Sequence, residues 1–145
     1  MFTTILVPTD GSELSAKAVQ AAVEFAKSRN GRVIGLSVAP SYPYSPLAEP
    51  AFLPDPATYE KGVLQLAQAR VQAVRDAAAR VGVPCTTLTA MADDPADEIV
   101  QTALQQGCDI IFMASHGRRG INKVLLGSVT QKVLAHSRLP VLVFR

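Results

Sequence analysis

Five short apolar runs, separated by segments of helical periodicity, constrain this chain more than any other feature. Ile5-Leu6-Val7 lies in the first, over residues 3–7. Residues 32–38, 84–90, 109–113 and 140–144 supply the others. Runs this short and rich in branched residues read as strands, and nearly continuous apolar character means burial on both faces. Between them the apolar period changes to three or four. Leu14, Ala18, Ala22 and Phe25 keep that spacing, as do Val63, Ala67, Val71, Val74, Ala78 and Val81 over about 57–80. Ile99 and Ala103 mark a third helix, and residues 129–135 a short fourth. The resulting order, β-α-β-α-β-α-β-α-β, predicts an α/β fold: a doubly wound five-stranded parallel sheet, order 3-2-1-4-5, with helices on both faces.

Local punctuation agrees with this order. Pro8-Thr9-Asp10-Gly11 breaks the first strand, and Ser12 or Ser15 can cap the first helix. Asn30-Gly31 ends that helix as a left-handed cap, while Gly82 and Gly107 close the next two. Asp94 is placed to cap the third helix, with Pro95 at its first position and Asp97 and Glu98 complementing its dipole. Six of the ten prolines crowd residues 40–56. That density excludes regular structure over about 39–57. This Pro-rich loop leaves the carboxyl end of a strand, so it reads either as a cover over a crevice or as plain disorder.

A doubly wound sheet places its ligand crevice at the carboxyl ends of the strands where the winding reverses. Strands 1 and 4 flank that point, so loops 8–11 and 114–127 converge there. The second loop has its own character. Ala114-Ser115-His116-Gly117 is followed after nine residues by Gly127-Ser128, directly behind an apolar strand and ahead of a helix. Small residues let backbone amides approach an anion, and a helix N-terminus adds partial positive charge. Arg118, Arg119 and Lys123 lie between the glycines, in a C-terminal third whose one acid after residue 99 is Asp109. The loop is built for phosphate.

These fragments, taken together, resemble the universal stress protein family. The resemblance spans residues 1–145, read as one nucleotide-binding domain. It rests on Ile5-Leu6-Val7-Pro8-Thr9-Asp10-Gly11-Ser12, on Asp94-Pro95 before Ile99, and on Asp109-Ile110-Ile111. It is most specific in Ser115-His116-Gly117-Arg118-Arg119-Gly120, Leu125-Leu126-Gly127-Ser128-Val129 and Leu139-Pro140-Val141-Leu142-Val143. ATP-binding members carry Gly-x-x-Gly, nine residues, then Gly with Ser or Thr. Here Gly117, Gly127 and Ser128 match, and Ala114 replaces the first glycine. The resemblance implies that Asp10 contacts the nucleoside sugar, that Pro8, Thr9 and the backbone of Val38 shape the adenine side, and that Gly117, Arg118, Arg119, Gly127, Ser128 and Val129 hold phosphates. ATP is the implied ligand, with Mg²⁺ carried by the nucleotide near Ser128 and no protein side-chain cluster for metal. Ser128 also reads as an N-cap, and His116 as a structural loop residue. The family commonly dimerises through its last strand, which implies a homodimer through Val141, Leu142 and Val143; an apolar edge strand invites such pairing.

Other chemistry lacks its motifs. No Gly-x-Ser-x-Gly, no Gly-x-x-x-x-Gly-Lys-Ser/Thr and no Gly-x-Gly-x-x-Gly occurs. The expectation is therefore a regulatory nucleotide-binding protein and not an enzyme. Two readings stand beside it: a non-nucleotide interaction module of the same fold, motivated by Ala114, and a slow ATPase. The chain is 48% apolar and 18% charged, which excludes disorder, and its net charge of +2 gives no reason to expect nucleic acid. No apolar run approaches the roughly 20 residues of a membrane helix. With no signal-like N-terminus, a cytoplasmic setting without membrane contact is expected. Cys85 and Cys108 read as two reduced thiols.

Overall fold

A computed structural model describes every residue except 45, 48, 50–52 and 119–124. The chain runs β1 (Thr4–Pro8), α1 (Glu13–Ser28), β2 (Arg32–Pro40), α2 (Pro56–Ala79), β3 (Cys85–Ala92), α3 (Pro95–Gln105), β4 (Ile110–Ala114), α4 (Ser128–His136) and β5 (Val141–Phe144). The strands form one sheet of order β3-β2-β1-β4-β5, parallel throughout. Strand periodicity then sorts the apolar side chains onto two faces. Ile5, Val7, Val33 and Phe112 meet Ala18, Ala22, Val74 and Ala78 of α1 and α2. Leu6, Ile34, Leu36, Ile111 and Met113 meet Ile99, Ala103 and Val133 of α3 and α4. Each fully enclosed Ile or Leu contributes about 1.5–3 kcal/mol of transfer free energy.

The helix ends follow their sequence signals with local corrections. Ser12, not Ser15, caps α1, accepting from the Ser15 amide at 3.2 Å. At the other end Asn30 takes the left-handed position (φ +51°), ahead of Gly31, whose amide donates to Ala26 at 2.8 Å. Asp94 caps α3 and Pro95 opens it. The buried face of α2 includes Ala77, but Val81 lies beyond the helix end and is 37% exposed. Four strands run one or two residues past the boundaries read from sequence, to Pro8, Pro40, Ala92 and Ala114. Pro8 registers with Leu36 and Pro40 with Ala92. Proline's fixed φ suits extended chain, so a proline at a strand's last position ends it without preventing it. β5 pairs only with β4 and lies at the sheet edge.

Candidate functional site

β1 and β4 are neighbours, and each hands its chain to a helix on the opposite face of the sheet. The loops leaving them are tied together at the reversal. The Arg118 amide donates to Asp10 Oδ2 at 2.7 Å, and Arg118 Nε donates to the Asp10 carbonyl at 3.1 Å. Asp10 Oδ1 accepts from the Ser12 amide at 2.9 Å. Burial pushes the Asp10 carboxyl up, but the bonds from Ser12 and from the Arg118 amide outweigh it and hold it below the usual carboxylate range. Behind it Thr9 is fixed by its amide on the Leu36 carbonyl (2.8 Å) and by its hydroxyl, which meets Ser15 Oγ (3.1 Å) and accepts from the Gly11 amide (3.1 Å).

The second loop explains its two described glycines by proximity. A Cβ on Gly117 would overlap Asp10 Oδ2. A Cβ on Gly127 would stand 3.3 Å from both the His116 Cα and the Ser115 carbonyl oxygen, to which Gly127 also donates its amide at 2.7 Å. Neither glycine has a positive φ. Ala114 does not either: it is the last residue of β4, in register with Phe144. Its carbonyl accepts from Thr130 Oγ1 at 2.9 Å, which ties α4 to the strand end. The alanine therefore sits where no left-handed backbone is needed.

The Ser128 cap expected from sequence is overturned. Gly127 occupies the N-cap, Ser128 is the first helical residue, and no side chain caps α4. The other three helices are capped by Ser12, Asp55 and Asp94. The reason is steric: the close approach of His116 and Ser115 favours glycine at the cap position, and glycine brings no side-chain acceptor. The first-turn amides of α4 have no carbonyl partners within the helix, and Ser128, Val129 and Thr130 line the crevice together with Gly117.

An inner cavity of about 220 Å³ has apolar walls from Pro8, Leu36, Val38, Ile99, Met113 and Val129, with Thr9, Asp10, His116 and Gly117 at its polar side. An outer recess of about 550 Å³ shares Asp10, His116, Gly117, Val129 and Thr130 with it and adds Arg70, Arg118, Gly127 and Ser128. The two adjoin through these shared residues; the second also has apolar walls from Ala39, Pro40, Val63 and Leu66, and the two arginines belong to it alone. Of the residues expected from sequence, the two together gather Pro8, Thr9, Asp10, Val38, Ala114, Gly117, Arg118, Gly127, Ser128 and Val129. Arg119 and Lys123 lie outside the described residues. His116 faces both parts of the crevice, its Nδ1 3.1 Å from Ser115 Oγ.

Comparison with known proteins agrees with this architecture. The sequence profile of the Universal stress protein family matches residues 1–145. The chain belongs to the universal stress protein family. Among its curated relatives, Universal stress protein YxiE of Bacillus subtilis is 34% identical over 149 residues, covering all of both chains. Among solved structures, that of the Methanocaldococcus jannaschii protein MJ0577 superposes with a TM-score of 0.84 at 30% identity, covering 99% of this chain and 96% of the other. A universal stress protein in complex with cAMP superposes with a TM-score of 0.71 at 25% identity, over 99% and 97% of the two chains.

Sequence reasoning missed Arg70 on α2. Its Nε is buried and has no hydrogen-bond partner among the described residues. Burial and the nearby Arg118 cation push its pKa down, opposed by Asp10, although an arginine remains charged at any ordinary pH. The signal was present: Ala67, Arg70, Val71 and Val74 fall on one helical stripe, and a cation inside an apolar stripe needs a reason.

Proposed function

We propose that this universal stress protein binds an adenine nucleotide, ATP in the first instance, and acts as a regulatory binding protein. The observation that carries the reading is the continuity of an apolar cavity with a cationic recess across the uncapped N-terminus of α4. A base fits the first, and phosphates fit the second. Thr9, Pro8 and the backbone of Val38 border the base. Asp10 is left with spare lone pairs for a ribose hydroxyl, since each carboxylate oxygen accepts one amide in the ligand-free chain. Gly117, Gly127, Ser128 and Val129 bring backbone close to the phosphates, with Arg118 and, by sequence position, Arg119 adding charge. The relative solved with cAMP supports an adenine ligand.

No group of three His, Cys, Asp or Glu side chains suited to a metal ion occurs among the described residues. The outer recess is instead lined by two arginines, so the donor set does not suit a resident cation. Mg²⁺ would arrive on the nucleotide, near the Ser128 hydroxyl. Asp10 is a poor general base for hydrolysis, because two amides engage it and hold it below the usual carboxylate range. A cytoplasmic site of action belongs to the same proposal, as does homodimerisation through β5, whose exposed edge carries Leu142 at 44% exposure.

The test is calorimetric titration with ATP and cAMP up to millimolar concentration. Saturation is expected for the wild type and is lost in Gly127→Val, whose branched side chain crowds the His116 and Ser115 backbone already 3.3 Å from the Cβ position. Absence of saturation in the wild type overturns the reading in favour of a non-nucleotide interaction module.

A further inference from the structure

Two guanidinium groups stand near each other in the crevice, with Asp10 as the carboxylate that shares their recess. The point a Gly11 Cβ would occupy is 3.4 Å from Arg70 Nε and 3.4 Å from Arg118 Nη2, so the two nitrogens are at most twice that distance apart. Arg118 is turned back on the loop backbone, donating from Nε to the Asp10 carbonyl and from Nη2 to the Gly11 carbonyl. Among the described residues Arg70 Nε has no acceptor. Neither arginine is ion-paired: among the described residues the salt bridge found is Lys132–Asp94, elsewhere on the surface. Asp10 is the acid lining the recess, and both its oxygens already accept amides.

A buried donor without an acceptor is costly, and a like charge nearby adds to that cost. Simple packing does not explain the pair. Arg70 reaches the recess by laying its stem over Gly11, where a Cβ would come within 3.2 Å of Arg70 Cγ, and Gly11 has φ +76°. The loop is shaped around the arginine. Its position along the crevice is equally informative. The inner cavity has no arginine in its lining, whereas both arginines line the outer recess beyond the start of α4.

We propose that Arg70 and Arg118 form a clamp for the outer phosphates of a nucleoside triphosphate, so that the site prefers polyphosphate nucleotides to monophosphate or cyclic ones. This rests on the nucleotide reading above. With the base in the apolar cavity, the first phosphate meets the amides at the start of α4. Only further phosphates extend into the recess where the guanidiniums wait. Arg70 supplies the planar fork that Arg118 has spent on the loop backbone.

The experiment titrates ATP, AMP and inorganic tripolyphosphate into wild-type protein, Arg70→Gln and Arg70→Lys, with melting temperatures as the control for folding. The wild type is expected to bind ATP at least about tenfold more tightly than AMP, a gap of about 1.4 kcal/mol. In Arg70→Gln the gap closes because ATP weakens while AMP is nearly unchanged, and Arg70→Lys restores part of it. The ATP affinity of the wild type also falls more steeply with salt than that of Arg70→Gln. Equal wild-type affinity for ATP and AMP, or a gap that persists in Arg70→Gln, overturns the clamp while leaving nucleotide binding intact. Tripolyphosphate binding that is lost in Arg70→Gln, with no adenine nucleotide bound, removes the nucleotide reading and keeps the clamp. Binding of none of the three removes both.

Discussion

Replacing Gly117 by alanine tests the contact on which the crevice depends. The added Cβ overlaps Asp10 Oδ2, the same oxygen that accepts the Arg118 amide at 2.7 Å. The two loops cannot keep this bond and the methyl group together. A hydrogen bond to a charged group contributes about 1.5–3 kcal/mol. This one is partly open to solvent, so the lower end applies, about 1.5 kcal/mol. For a chain of 145 residues that corresponds to a fall in Tm of roughly 4–6 °C. Asp10 would keep its bond to the Ser12 amide, so the cost is local and the fold survives.

A double-mutant cycle separates overlap from any general intolerance of alanine at position 117. Gly117→Ala, Asp10→Ala and the double variant are compared with wild type by urea denaturation. With Asp10 shortened, the methyl group meets empty space, since the Asp10 side chain is the only neighbour within contact range of that Cβ among the described residues. Gly117→Ala is then expected to cost less than about 0.5 kcal/mol in the Asp10→Ala background, against about 1.5 kcal/mol in the wild type. Equal costs in both backgrounds would refute the account, and with it the idea that Asp10 holds the post-β4 loop in place.

Other consequences are open to measurement. Asp10 has a depressed folded-state pKa, so its contribution is present above the ordinary value of 3.8 and is lost as pH falls through the lower folded value; Asp10→Asn should lower stability at neutral pH and flatten the acid limb of a stability–pH curve, the gap to wild type narrowing below about pH 4. Burial pushes the Cys108 thiol up to about 11, so in native protein at pH 8 a disulfide reagent should modify the half-buried Cys85 first and reach Cys108 at the rate of unfolding. Leu142→Lys places a charge on the exposed edge strand without touching the core, and sedimentation should shift from dimer towards monomer while the circular dichroism stays unchanged.

How much of this was legible beforehand differs between fold and site, for a physical reason. Strand order follows from short-range patterning and chain handedness, so Ile5-Leu6-Val7 and the alternation after it sufficed to place β1 beside β4. Gly117 and Gly127 were legible as a spacing, but the cause of each lay in partners that spacing does not reveal: Asp10, distant in sequence, for one, and His116 with Ser115 for the other. Ala114 shows the converse. Its departure from the family pattern would matter if the position needed a positive φ or a very close phosphate approach; the strand end it occupies removes the first of these, since a methyl group there needs no special conformation. Ser128 was misread because a serine before a helix is normally its cap; here the tight turn takes the cap position for glycine, and no side chain takes up the amides that a serine would have satisfied. Arg70 was passed over because helix periodicity weighs a charged residue by its exposure to solvent. Its long stem reaches over Gly11, a contact between α2 and the post-β1 loop that exists only after the sheet has brought both to the same end. Residues contributed to a site by the flank of a covering helix carry no motif of their own. What marks them is a cost without visible compensation, and the buried Nε of Arg70, partnerless among the described residues, is such a cost.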